Sequence, residues 1–413
     1  MTAPLALPTD QNTGSRRHGA GFWLVAFAFL VGMAFSTVPT PLYPLYAQRD
    51  GFSPFVITVV FAVYSLGVVV SLVLAGHISD WVGRKRIMIP ALAVEALAAV
   101  IFLLWPDLPG LLLGRFVNGL GVGMLTATAT AHLHELHRRH RPESGPGRFE
   151  AVSTAANIGG LGIGPLVAGA LAETVHAPLV VPYAVFLVLL LLAIAAVAAT
   201  PETVELRPVR PAYRPQRPGS AGAGRPFWTA VGAAFAAFSI FGVFTSVAPG
   251  FVAGELGETS RLLAGAVVFA VFGAAAIAQT ATGRLGANTR LRLGIAGEML
   301  GLVVLVAGMA LGSLPGFLIG GVLAGAAAGI LFKTAVGTVV ASTPEDGRGA
   351  ALAGLFLLSY VGLIVPALAI GLAVTFMPAT IAMTGLSAVL IVLLLRVGST
   401  ARGSAAPVRA ARC

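Results

Sequence analysis

The apolar residues of this chain come in runs of about 20, the length a helix needs to cross a hydrocarbon core of ~30 Å. Twelve runs occur, at 21–43, 55–77, 87–105, 111–132, 149–172 and 179–200 in the first half. In the second half they lie at 227–249, 261–283, 293–312, 316–340, 350–374 and 377–396. Only 10% of the residues are charged and 57% are hydrophobic, whereas a soluble domain carries about 25% charged residues. The expectation is an all-α integral membrane protein. Most runs are apolar all round, so periodicity cannot orient them.

Charge supplies the orientation. With both termini placed in the cytoplasm, the cytoplasmic segments hold 22 of the 26 Lys and Arg residues, the outer loops hold Arg49 and Arg261, and Arg115 and Lys333 fall inside spans. That asymmetry is the positive-inside pattern. It accounts for the formal charge of +10 without nucleic-acid binding. The polar 1–20 stretch carries Arg16 and Arg17, and the run from Phe22 is too long for a signal peptide's apolar core, so it reads as a retained first helix. The single cysteine, Cys413, excludes an intramolecular disulfide, and Ala410, Ala411 and Arg412 before it do not form a prenylation box.

The longest loop, 201–226, is rich in Pro and Arg (Pro208, Pro211, Pro215 and Pro218 beside Arg207, Arg210, Arg214 and Arg217). Proline at this density favours an extended strap. The loop reads as a cytoplasmic linker between a six-helix bundle at 21–200 and a second at 227–396, with a C-terminal tail at 397–413.

The two halves can be laid over each other. Gly32, Ser36 and Pro39 of the first span match Gly242, Ser246 and Pro249 of the seventh. VVFAVY at 59–64 matches VVFAVF at 267–272, and Gly119, Gly123, Leu125 and Thr128 match Gly325, Gly329, Leu331 and Thr334. The offsets are 210, 208 and 206 residues. Six spans per half is an even number, so both halves enter from the same side and are related by an axis along the membrane normal, as in parallel-repeat transporters.

The most specific motif follows the second span: Gly76-His-Ile-Ser-Asp80-Trp-Val-Gly83-Arg84-Lys85-Arg86. It resembles the signature loop of the major facilitator superfamily, G-x-x-x-D-[RK]-x-G-R-[RK]-[RK], and departs from it at Trp81. An ordinary basic loop explains the charges but not Gly76 and Asp80. An acid at a membrane boundary needs a cation or a helix N-terminus. The resemblance implies that Asp80 faces the start of the eleventh helix, near 347–350, and latches the halves in the outward-facing state. The second-half copy has Ala287 where the acid would fall, so the latch is expected to be one-sided. Two further stretches extend the resemblance. Arg115, Asn118, Gly119 and Gly121 follow a fourth-helix pattern that the family ties to proton coupling. Gly160, Gly164, Pro165 and Gly169 resemble the antiporter signature of the fifth helix, with Ala168 in place of one glycine. Pro-Glu-Thr at 201–203 is also common in this family. The implied fold is two six-helix pseudo-repeats, the major facilitator fold.

An ionisable residue inside a span is a functional candidate by default. Those buried by these spans, away from the span ends, are Glu95, Arg115, Glu298 and Lys333. The family places the third and ninth helices outside the cavity, so Glu95 and Glu298 read as hydrogen-bonded structural acids or as acids kept protonated by desolvation. If a carboxylate carries the driving proton, Glu95 is the first candidate. Arg115 and Lys333 either line the cavity or snorkel to water. Ser36, Thr37, Asn118, Thr126, Phe238, Phe241, Phe244, Ser246 and Phe332 lie on spans that line the cavity by resemblance. Aromatics with a few hydroxyls suit an apolar ligand, and core packing is the competing reading for each. The first span has no acid of the kind that binds lipophilic cations in many multidrug antiporters. With two cavity cations, neutral or anionic substrates are expected.

His132, His134, His137 and His140 cluster near Glu135 without a zincin spacing, and read as a basic helix end rather than a metal site. No P-loop, nucleophile constellation or dinucleotide fingerprint occurs. The sequence therefore points to a monomeric, multi-pass plasma-membrane transporter without cofactor or metal. It is expected to export a small organic molecule in exchange for protons by alternating access, within a lipid bilayer. The competing readings are a uniporter or proton symporter, and a non-transporting receptor or scaffold on the same fold.

Overall fold

A computed structural model describes residues 11–75, 78–204, 215, 219 and 224–403. Gly76, most of the linker including Arg207, Arg210, Arg214 and Arg217, and the end of the C-terminal tail lie outside these residues. Among the described residues the chain is helical, with no strand. Twelve helices among the described residues are long and apolar enough to cross a membrane, one for each predicted run. They are α1 (Gln11–Thr37), α2 (Pro54–Ala75), α3 (Arg84–Leu104), α4 (Leu108–His140), α5 (Gly147–Thr174) and α6 (Val181–Ala198). The second set is α7 (Gly224–Ser246), α8 (Arg261–Ala281), α9 (Ala287–Ala310), α10 (Leu314–Ser342), α11 (Glu345–Ala373) and α12 (Ala379–Gly403). The end that carries the 84–86 loop is called the inner face below.

Helix ends follow local chemistry. The predicted first span ends at 43, but α1 stops at Thr37 because Pro39 and Pro41 lack the N–H that would continue it. The chain turns through a 3-10 segment, Thr40–Leu42, into a short outer helix, Tyr43–Asp50. In contrast, α4 runs to His140, past the predicted end at 132, and carries its four basic residues 137–140 in the last turn, where cations complement the helix dipole.

The packing repeats between halves. In the first, α4 lies against α1, α2 and α3; in the second, α10 lies against α7, α8 and α9. Glycines permit these close approaches: a Cβ on Gly119 would strike the Tyr64 carbonyl of α2, and one on Gly325 would strike the backbone of Val271 in α8. Prolines inside helices free carbonyls, and neighbours meet them. Pro165 leaves the Leu161 carbonyl without its donor, and the Thr37 hydroxyl donates to it at 2.9 Å. Pro366 does the same at Gly362, which accepts from Ser239 at 3.1 Å.

Candidate functional site

The inner loop after α2 is organised by Gly83 and Glu202. Gly83 has φ +115° and ψ 146°, a conformation essentially restricted to glycine. It starts α3, whose first N–H groups need acceptors. Glu202, just past α6, supplies them: Arg84 N–H and Lys85 N–H donate to its carboxylate at 3.0 and 3.1 Å. Partial burial pushes the Glu202 carboxyl up, but the backbone N–H groups of Val204, Arg84, Thr203 and Lys85 outweigh it and hold the group below its ordinary range. The Arg84 guanidinium then bridges two acids, Asp80 at 2.5 Å and Glu135 of α4 at 2.7 Å, and Glu135 also accepts from Thr203. Lys85 donates to the last-turn carbonyl of Ala198 in α6 at 2.7 Å. Arg86, by contrast, is exposed.

Among the described residues the ion pair that Asp80 makes is with Arg84, one turn on, and the Asp80 side chain is 64% exposed. Across the halves, the inner ends of α7, α10 and α11 form a hydrophobic cluster of their own, including Phe227, Val339 and Leu355, separate from the main core. The outer ends of the two halves are in contact. A Cβ on Gly371 of α11 would collide with Thr58 of α2. Arg261, the first residue of α8, donates its backbone N–H to Glu173 at 2.7 Å and its guanidinium to the Ala172 carbonyl at 3.0 Å, both on α5.

The α5 motif is a two-sided seam. Gly160 and Gly164 face α1, where a Cβ would meet Met33 and the Ala34 carbonyl. Gly162 and Gly169 face α8, where a Cβ would meet Phe269 and Phe272, and the Arg261 carbonyl. Pro165 turns its carbonyl onto Gly265 of α8. A π-helical turn, Ala155–Gly159, precedes the motif, a local rewinding often found at functional positions. At the inner end Thr154 accepts from Gln279 at 3.3 Å, and Glu150 pairs with Lys333 at 3.0 Å. Lys333 therefore neither stands alone nor simply snorkels: it ties α10 to the start of α5.

Arg115 is 2% exposed, so snorkelling does not describe it either. It donates to the Ser36 carbonyl of α1 at 2.7 Å and lies 4.2 Å from the centre of the Tyr64 ring. Asn118 is beside it at 3.4 Å. The carbonyl is available because α1 ends there. Among the described residues Arg115 makes no ion pair within 4.0 Å.

Glu95 belongs to α3, expected outside the cavity. Gly32 of α1 and Gly121 of α4 leave the space that lets it in: a Cβ at Gly32 would sit 3.2 Å from both carboxylate oxygens, and one at Gly121 would press on its Cγ. Among the described residues both oxygens are buried without a hydrogen-bond partner, as are those of Glu298 in α9. Glu298 has Ala327 where the repeat would put the second glycine.

The candidate cavity residues divide. Phe238 of α7 meets Phe332 of α10 at 5.0 Å and Tyr360 of α11 at 5.5 Å, while Phe241 stacks on Phe272 at 4.8 Å. Phe244 packs on Phe317, and all of these ring contacts lie within the second half. The hydroxyls of Ser36, Thr126 and Ser246 donate to carbonyls of their own helices, and Ser246 lines a separate outer cavity of about 370 Å³ with Tyr43, Thr58 and Phe251. Tyr64, Tyr360, Glu135 and Glu150 were not among the sequence candidates. Tyr64 had a signal: its repeat counterpart is Phe272, so the hydroxyl is the one difference between VVFAVY and VVFAVF.

Two copies of one packing plan, built from membrane-length helices and joined by glycine seams, define a multi-pass membrane protein. The Major Facilitator Superfamily model matches residues 24–306, and the chain belongs to that family. It is 29% identical over 151 residues to a putative multidrug resistance protein MdtD of Escherichia fergusonii and 30% identical over 151 residues to its namesake in Escherichia coli. Each match covers 37% of this chain and only 31% of the relative. Among solved structures, the human organic anion transporter MFSD10 (TETRAN) superposes with a TM-score of 0.66 at 17% identity, over 92% of this chain and 99% of that one, a likeness of fold. Among the described residues no group of His, Cys, Asp and Glu is arranged to hold a metal ion.

Proposed function

We propose that this transporter exports a small, largely apolar, neutral or anionic organic molecule in exchange for protons, by rocker-switch alternating access. The observation that carries the reading is the asymmetry of the seam. The outer ends of α5 and α8 are locked backbone to backbone, while Asp80 on the inner face is paired inside its own loop. In this reading the Asp80 latch is disengaged, while the inner ends of α5, α8 and α10 stay tied through Thr154–Gln279 and Glu150–Lys333. In the opposite state Asp80 meets the start of α11 and the Arg261 contacts open. The 29–30% likeness to the MdtD proteins supports export.

Substrate class follows from charge. Arg115 presents an unpaired cation, Phe238, Phe332 and Tyr360 present ring faces, and no acid lies on α1 from Phe22 to Thr37. Glu95, admitted between α1 and α4, is the carboxyl through which a proton crosses. In this reading the inner face and both termini are cytoplasmic, which the charge asymmetry supports, the membrane is the plasma membrane, and the protein acts as a monomer.

The test is flux through purified protein in vesicles with an imposed pH gradient, across a panel of neutral, anionic and cationic lipophiles. Gradient-driven movement of neutral or anionic compounds, lost in Glu95→Gln, is expected. Saturable export of lipophilic cations overturns the substrate reading. Flux that ignores the gradient leaves a uniporter, and no flux at all leaves the scaffold.

A further inference from the structure

Where α1, α4 and α5 meet at the inner face there is a cavity of about 330 Å³. Arg16, Arg141 and Arg148 line it together with His137, Phe22 and Trp23. The three arginines are exposed, and among the described residues none of them forms an ion pair with a carboxylate within 4.0 Å. No acid lines the cavity among the described residues. Two contacts hold its walls. The Arg148 guanidinium lies 5.4 Å from the Trp23 ring centre, and His137 sits 5.8 Å from Phe22. Gly19 lets α1 close on the ring of His140, which a Cβ would strike.

Unpaired arginines gathered around one hollow repel one another unless an anion joins them. The guanidinium fork matches phosphate oxygens. The half-exposed Trp23, at 53%, is the kind of side chain that sits at headgroup depth. We propose that this cavity binds the phosphate headgroup of an anionic phospholipid of the inner leaflet, with phosphatidylglycerol as the simplest ligand.

The second half provides an internal comparison. Phe227 and Trp228 at the inner end of α7 reproduce the aromatic pair, with ring centres 5.4 Å apart at 81°, against 5.4 Å and 79° for Phe22 and Trp23. At the α4-to-α10 offset, however, His137, His140 and Arg141 become Thr343, Asp346 and Gly347. A similar aromatic pair thus stands near the inner end of the first helix of each half, though not at equivalent repeat positions, since at the 210-residue offset Phe22 corresponds to Gly232. The second half thus lacks the basic residues at the α10 end, while Arg225 and Arg348 stand at the inner ends of α7 and α11. The positive-inside rule asks for basic residues on this face, but it does not ask that they converge on a hollow.

The experiment is lipid retention by the full-length purified protein, read by native mass spectrometry during titration with phosphatidylglycerol or phosphatidylcholine. Retention of phosphatidylglycerol over phosphatidylcholine is expected. It should weaken about thirtyfold in an Arg141→Gln/Arg148→Gln variant, since each basic side chain near an anionic surface contributes about fivefold. Arg138→Gln, which removes an exposed charge one turn away and outside the cavity, should retain the preference. Equal loss in Arg138→Gln would show bulk attraction and overturn the site. A double variant that keeps the preference would overturn it too. Competition by inorganic phosphate or glycerophosphoglycerol at millimolar concentration would show a soluble-anion site and overturn the lipid assignment. Should the double variant fail to fold, Trp23→Ala serves instead, with loss of retention expected and unchanged retention overturning the proposal. None of these readouts measures transport, so the proposed export activity stands or falls separately.

Discussion

Gly169→Ala is predicted to shift the transporter toward its outer-open state. The residue lies in the last turns of α5, and a Cβ there would fall 3.1 Å from the Arg261 carbonyl carbon and 3.3 Å from the Leu262 Cα, closer still to the Arg261 oxygen. All are backbone atoms at the start of α8, so no rotamer change relieves the contact. Arg261 is also pinned to α5 through Glu173 and Ala172, so relief comes from moving the outer end of α8. Overpacking an interface by one methyl costs about 1–3 kcal/mol. Because the clash exists only when the outer ends are closed, the penalty enters the conformational equilibrium directly. At about 1.4 kcal/mol per tenfold, the outer-open population rises roughly five- to hundredfold. Thr58, 1% exposed and against Gly371 on the other seam, is the reporter. In a Cys413→Ser background, Thr58→Cys should react with an impermeant maleimide faster by that factor. Gly160→Ala, which presses on α1 within the first half, should lower thermal stability without changing the labelling rate. If Gly169→Ala left the rate unchanged, or Gly160→Ala raised it equally, the two-sided role of α5 would be wrong.

Other substitutions probe the remaining parts of the site. Gly83→Ala meets both a positive φ and the Glu202 carboxylate 2.8 Å from the new Cβ, so thermal unfolding should show a loss of about 1–3 kcal/mol. Glu202 has a depressed pKa, so its stabilising effect is complete above the ordinary carboxylate range and disappears as pH falls through the folded value; a scan of melting temperature against pH should show an acid-side decline that is smaller in Glu202→Gln. Lys333→Glu should loosen the inner seam, and adding Glu150→Lys should restore flux, with a coupling of at most about 1 kcal/mol because both partners are partly exposed. Arg115→Lys keeps the charge but cannot serve the Ser36 carbonyl and the Tyr64 ring together. Its flux should fall about tenfold, the order of one lost charge-assisted hydrogen bond.

The spans were legible because run length and bilayer thickness answer to the same physics, and each of the twelve runs has its helix. The proline-rich end of α1 and the extension of α4 were not, since a boundary depends on which carbonyls find donors. Within the site, the 80–86 motif announced itself, but its partners Glu135 and Glu202 did not. Glu135 lies 51 residues from Arg84 and Glu202 lies 118 residues away, and nothing in local spacing encodes such contacts. Glu95 was visible as a mid-span acid. That Gly32 and Gly121 would admit it to the α1–α4 contact is a property of three helices together. Lys333 was likewise visible, whereas its pairing with Glu150 required the fold of both halves.

Rocking of the two halves is most directly measured by paired spin-label distances in the Cys413→Ser protein. One pair, at Gln48 and Gly254, spans the halves across the outer cavity; the other, at Arg86 and Glu345, spans them on the exposed inner face. The account predicts two populations exchanging on substrate addition or pH change, with the outer distance lengthening as the inner one shortens. Distances that lengthen together, or a single population under every condition, would contradict it.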